Sequence, residues 1–81
     1  MLKLKIITPE KVEYEGVTSI VTVPGTMGRF QILKDHAPLI SSLEKGIVEY
    51  DVNDERRQLA ILGGFVEVQK NVVSLCVEVK E

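Results

Sequence analysis

Apolar and polar residues alternate one by one along almost the whole of this 81-residue chain. That period is the pleat of a β-strand, where successive side chains leave opposite faces; a helix face would repeat every three or four positions. In LKLKI, Leu2, Leu4 and Ile6 share one face, and Lys3 and Lys5 the other. In KVEYE, Val12 and Tyr14 oppose Lys11, Glu13 and Glu15. VTSIVTV reads as one β-branched strand, with Val17, Val21 and Val23 set against Thr18, Ile20 and Thr22. RFQIL follows Gly28, and IVEYDV sets Val48, Tyr50 and Val52 opposite Glu49 and Asp51. QLAIL is apolar on both faces and reads as a central strand. FVEVQ and VVSLCVEV close the chain; in the latter Val73, Leu75, Val77 and Val79 form the core face, and Cys76 lies on the other with Val72, Ser74 and Glu78.

Turn chemistry separates these runs. Thr8-Pro9-Glu10 and Glu15-Gly16 bracket the second strand, and Pro24-Gly25-Thr26-Met27-Gly28 is a glycine-flanked loop. Asn53-Asp54-Glu55 and Gln69-Lys70-Asn71 read as hairpin connections. Gly63-Gly64 interrupts an apolar run and predicts a bulge or bend. Short strands at a spacing of roughly 8–12 residues predict an all-β sandwich or flattened barrel, one domain over residues 1–81. PLISSLEKG fits either a short helix, with Pro38 at its first position and Gly46 past its end, or a strand.

Composition narrows the function classes. A net charge of −2 with interspersed signs argues against a nucleic-acid binder, which would show a basic face. The single cysteine excludes an internal disulfide and a thiolate metal cluster. No apolar run approaches the ~20 residues that span a bilayer, and the lysine-broken start is no signal peptide. A chain this short buries only roughly 60–65% of its unfolded surface, so a permanent partner would add to its stability.

The residues of KDHAPLISSLEKG raise the question of catalysis. His36 as base, Asp35 as orienter and Ser41 or Ser42 as nucleophile would make a hydrolase. Adjacent side chains in an extended chain diverge, however, and no glycine-flanked elbow exposes either serine. The alternative is a turn, with Pro38 forcing Ala37 to be extended. Pro24–Gly28 lacks the Lys-Ser/Thr ending of a phosphate loop, and a strand follows it. Glu13 and Glu15 on one strand face read as solvated edge carboxylates, and Arg56 and Arg57 as a solvated hairpin. No metal or cofactor is expected, and a binding or assembly module remains.

The order of motifs is specific. Ile6-Ile7-Thr8-Pro9-Glu10 ends the first strand, and a valine-rich strand leads into a glycine loop. His36-Ala37-Pro38-Leu39, Gly46, LAILGGFVEV and Asn71-Val72-Val73-Ser74-Leu75 follow. This layout, over nearly the whole chain, resembles the N-terminal β domain of the epsilon subunit of F-type ATP synthases, called delta in mitochondria. The resemblance implies a flattened β-sandwich of about ten strands, with the segment after Pro38 extended. It implies a non-catalytic rotor subunit joining the gamma subunit to the c-subunit ring and coupling ion flow to ATP synthesis. Such a subunit lies peripherally on the cytoplasmic face of a bacterial inner membrane, held there by its partners. Thr8 and Ser41 match positions facing gamma; Met27, Gly28, Arg29 and His36 match the end facing the c ring. Asp35, Pro38, Gly46, Gly63 and Gly64 match structural turns. The alternative function is a stand-alone β-sandwich module for a small ligand or carbohydrate, which four scattered aromatic residues support poorly.

Three departures from the family pattern stand out. Arg29 occupies the place of an acid and Gln31 that of a glycine, so the c-ring loop is expected to offer Arg29 an acid or a backbone acceptor. Lys34-Asp35 replaces Pro-Gly before the histidine. The family's C-terminal helical hairpin has no counterpart before Glu81, so a short form without hairpin-based inhibition or ATP binding is expected. Added to its own catalytic complex, the chain is expected to leave ATP hydrolysis essentially unchanged; strong inhibition would overturn that expectation.

Overall fold

A computed structural model describes residues 1–80. Glu81, where the short-form expectation ends, lies outside the described residues. Among these there are nine strands and no helix: β1 (Leu2–Ile7), β2 (Val12–Thr18), β3 (Val21–Gly25), β4 (Gly28–Ile32), β5 (Leu39–Leu43), β6 (Gly46–Val52), β7 (Glu55–Ile61), β8 (Gly63–Gln69) and β9 (Val72–Glu78). They form one sheet in the order β2-β1-β9-β8-β5-β3-β6-β7, with β4 on β3. The expected all-β sandwich is present, with nine strands for the expected ten or so. The segment after Pro38 is a strand.

The sheet curls so that its apolar face lies inside. β5 and β3 share a single residue pair, Gly25 with Leu43, and there the layer β2-β1-β9-β8-β5 turns into the layer β4-β3-β6-β7. Leu2, Leu4 and Ile6 from β1 meet Val21, Val23, Val48, Val66, Val68, Val73 and Leu75 in one buried cluster. Period-two burial along β1, β8 and β9 is the alternation of the sequence made physical.

Two contacts close the curl by bringing β2, at one end of the sheet, onto β6 near the other. The rings of Tyr14 and Tyr50 lie 5.0 Å apart and tilted by 41°. The hydroxyl of fully buried Thr18 donates to the Ile20 carbonyl (3.0 Å) and accepts the Asp51 backbone N–H (3.0 Å). Thr18 also breaks the run VTSIVTV, which is not the single strand its composition predicts. The hydroxyl turns the chain between Ser19 and Ile20, so Thr18 points inward and Val17 outward.

QLAIL differs from expectation as well. Its first four residues lie in β7, at the end of the sheet, with Ala60 exposed and only Ile61 fully inside, and Leu62 falls in the bend that follows. Its apolar residues cap an edge. Arg56 and Arg57 belong to this strand rather than to the turn before it.

The hairpin turns take the residues that the sequence offers. Asn53 and Asp54 (φ 52° and 66°) and Lys70 and Asn71 (φ 51° and 62°) all sit in the left-handed region that two-residue hairpin turns need. Gly64, at φ 145°, serves a closer approach. A Cβ there would overlap the Cys76 carbonyl oxygen and stand 2.7 Å from the Val77 Cα. Gly64→Ala is therefore expected to lower the stability of the fold by on the order of 3 kcal/mol, read as a lower urea midpoint at unchanged slope.

Candidate interaction surfaces

No catalytic group assembles around His36. Its Nδ1 lies 2.7 Å from the carbonyl of its own neighbour Ala37. The Asp35 carboxylate accepts from the Asn71 amide (3.1 Å), and Asn71 Oδ1 accepts the Asp35 backbone N–H (2.6 Å). Ser41 donates to the Ser42 carbonyl (3.2 Å). Asp35 stands at φ 64°, the third position of the turn from Leu33 to His36, which favours glycine. Asn71 holds it there from the β8–β9 turn, which is how the chain tolerates Lys34-Asp35 in place of Pro-Gly. Among the described residues no group of three or more His, Cys, Asp or Glu is arranged to hold a metal.

The structure separates residues that the sequence reading put together. Met27 lies at the β3–β4 tip, beside the Leu43 end of β5. His36 lies at the other end of β4, beside the β8–β9 turn that Asn71 occupies. The five residues of β4 put about 16 Å between them. Thr8 is only 5% exposed, and its hydroxyl is engaged in the Thr8–Lys11 turn, donating to the Lys11 carbonyl at 3.1 Å. Ser41 shares the inward side of β5 with Leu39 and Leu43, while Ile40 and Ser42 face out. Gly46 lets β6 pass Pro24, 2.8 Å from where a Cβ would stand. Pro38 is exposed in the segment leading into β5, and Gly63 opens β8 after the Leu62 bend.

The two outer faces differ, although the first layer's face also carries charge, in the neighbouring row Ile40-Glu67-Ser74-Lys5-Glu15. Across the first layer, strand register lines up Ser42, Phe65, Cys76, Ile7 and Val12 as neighbours on five successive strands. Phe65 and Val12 are 48% and 49% exposed, and Ile40, diagonal to Phe65, is 74% exposed. A shallow apolar groove runs between Phe65 and Pro9 over Cys76. The sequence reading missed this row because no strand alone is apolar on that face. It appears only when Ile7, Phe65 and Cys76, distant in sequence, fall into register.

The outer face of the second layer is charged and paired with itself. Glu49 accepts from Gln58 Nε2 (2.7 Å) and Arg29 Nη2 (3.1 Å), and Arg56 Nη1 lies 3.8 Å from it. Arg56 Nε donates to Asp51 at 2.8 Å. Arg29 Nη1 donates to the Ile47 carbonyl at 2.6 Å. The acid and the backbone acceptor expected of a partner loop for Arg29 are thus present within this chain. These bonds, the one from Gln58 foremost, hold the Glu49 carboxyl below its ordinary value of 4.5. A depressed carboxylate favours the folded arrangement above 4.5, and that favour is lost as the pH falls through the lowered value. In a carbon-13 titration, Glu49 should therefore titrate below 4.5, and Gln58→Ala should move it upward.

Comparison with known proteins agrees with this architecture. The family described as ATP synthase, Delta/Epsilon chain, beta-sandwich domain matches residues 1–81. An ATP synthase epsilon chain of Leptospira interrogans is 42% identical over 74 residues, covering 91% of this chain and 58% of the relative. One from Desulfitobacterium hafniense is 40% identical over 78 residues, covering 96% and 59%. The chain thus spans less than two thirds of the length of these relatives. Among solved structures, a chain of the Euglena gracilis mitochondrial ATP synthase (OSCP/F1/c-ring) superposes with a TM-score of 0.87 at 22% identity, covering 94% of this chain and 49% of that one. A chain of the Tetrahymena thermophila mitochondrial ATP synthase central stalk and c-ring gives 0.80 at 19% identity, covering 95% and 63%. At these identities the two likenesses speak to fold alone. With a family match along its whole length and relatives at about 40% identity, this chain belongs to the β-sandwich domain family of ATP synthase delta/epsilon chains.

Proposed function

We propose that this domain serves as a non-catalytic central-stalk element. In this reading it seats on the gamma subunit, rests against the c-subunit ring and helps carry rotation between ion flow and the catalytic head. It would lie at the cytoplasmic face of a bacterial membrane, held by its partners. Family membership supports the assignment. The observation that carries the geometry is the contrast between the two outer faces. One offers a row whose apolar members, Phe65, Cys76, Ile7 and Val12, lie on four adjacent strands; the other pairs its charges internally. A subunit held permanently on one side needs that asymmetry, because a contiguous apolar surface leaves water only against a partner.

The gamma-facing surface in this proposal is the row Ser42-Phe65-Cys76-Ile7-Val12 with Ile40. Thr8 contributes through shape, fixing the turn that follows Ile7, while Ser41 faces inward between Ile40 and Ser42. The ring-facing end is the β3–β4 tip at Met27, Gly28 and Arg29. His36, at the far end of β4, lies outside this surface.

The test is capture of this chain by the gamma subunit of its own organism, with Phe65→Glu and Ile40→Glu as variants that leave the core untouched. Stoichiometric binding of the parent chain is expected. Each variant should weaken binding by about tenfold or more, the scale of one lost apolar contact. Failure of the parent chain to bind gamma would overturn the assignment. Unchanged binding of both variants would overturn the surface.

A further inference from the structure

We propose that a second copy of this chain covers the outer face of the first layer when gamma is absent. The two copies are related by a two-fold axis that runs along the strands, between β8 and β9. Self-association follows from the shape and charge of the face. Its consequence, that the free domain keeps its gamma-facing row closed until gamma displaces the second copy, rests on the stalk reading above.

Shape comes first. On the outer face, register sets Phe65 beside Cys76, Glu67 beside Ser74 and Gln69 beside Val72. The three β8 residues are large and exposed, their β9 neighbours are smaller, and Ser74 and Cys76 are half-buried. Adjacent strands therefore form a ridge and a trough, about 4.8 Å apart. A two-fold axis between them, parallel to both, lays β8 of each copy over β9 of the other and keeps every residue at its own level. Phe65 then enters the groove over Cys76 of the second copy, which Ile7, Pro9 and Phe65 wall, and the reciprocal contact forms with it. At the level where the sizes reverse, Glu78 stands beside Gly63, and the same axis sets this acid over a glycine. Aligned sheets cross at about 30°, so the match is closest near mid-strand, where Phe65 and Glu67 stand.

Charge agrees with shape. Lys5 lies beside Ser74 on β1, so Glu67 arriving over Ser74 of the second copy finds that copy's Lys5 one strand away. The two-fold makes two such pairs. Among the described residues neither Glu67 nor Lys5 takes part in an ion pair within its own chain, in contrast to the second layer, where Glu49 and Asp51 are already paired. The overlap spans four strands, β5 to β1, about 20 Å across and about 23 Å long. It buries on the order of 1,000 Å² over both copies, the low end of specific interfaces. A dimer of that size is weak, with a dissociation constant on the order of 10 μM, and a larger partner on the same row can displace it.

The experiment is sedimentation velocity of the chain from about 1 to about 200 μM, with the rate of Cys76 alkylation by a maleimide measured over the same range. A monomer should give way to a dimer, and alkylation should slow in step by about fivefold, because Phe65 of the second copy covers the thiol. Phe65→Glu should remove both effects. Glu67→Lys should weaken the dimer about fivefold at low salt and less at high salt. Added gamma should convert the dimer into a one-to-one complex. A chain that stays monomeric throughout, a dimer that keeps its strength in Phe65→Glu, or an alkylation rate independent of concentration overturns the proposal. A dimer that takes up gamma without dissociating overturns the closure of the row. A dimer that gamma neither binds nor disrupts leaves self-association standing and overturns the stalk reading instead.

Discussion

A sheet with no helix to lie against can hide its apolar face only by curling onto itself, and closure of that curl is what the rest of this structure depends on. Here closure rests on a few groups where β2 meets β6. Thr18 places a hydroxyl in a fully buried position and satisfies it with the Ile20 carbonyl and the Asp51 N–H. An unsatisfied hydroxyl there would cost about 1–3 kcal/mol, so the same bonds that join the layers remove a penalty. Tyr14 against Tyr50 adds apolar area beside them, and burial pushes the Tyr50 phenol above its ordinary range.

Once the sheet is closed, its outer faces are free to differ. The second layer uses cross-strand charges, Glu49 opposite Gln58 and Asp51 opposite Arg56. Each exposed pair, screened by water, contributes little to stability. Together they keep the face wetted and unattractive to another sheet. The first layer carries Phe65, Ile7 and Val12 outward, which a monomer in water would not favour. The asymmetry is what the proposed stalk role asks of the domain.

Much of this fold was legible in the sequence. Period-two alternation marked the strands, and Asn53-Asp54 and Lys70-Asn71 marked two hairpins by turn chemistry that the φ values bear out. Alternation also put Val73, Leu75 and Val77 inside. Local pattern failed where a distant residue decided. Thr18 turns inward because Asp51 supplies a donor 33 positions away. QLAIL is apolar enough for the centre of a sheet, yet strand order makes it an edge. Candidate surfaces were harder to read than fold, since the apolar row exists only in register across four strands. The fate of Arg29 likewise hinged on Glu49, which alternation marks as exposed but does not pair.

The parallel pairing of β1 with β9 has a consequence for how such a domain comes into being. Lys3 lies beside Val72 and Ile7 beside Cys76, so β1 is flanked by β9, about 70 residues later in the sequence. Until β9 is available, β1 and β2 are a hairpin detached from β8, and the buried cluster lacks its middle. Closing a loop of that length demands its entropy before the contacts repay it. Assembly of the domain is therefore expected to be all at once, with the β1–β2 hairpin waiting for β9.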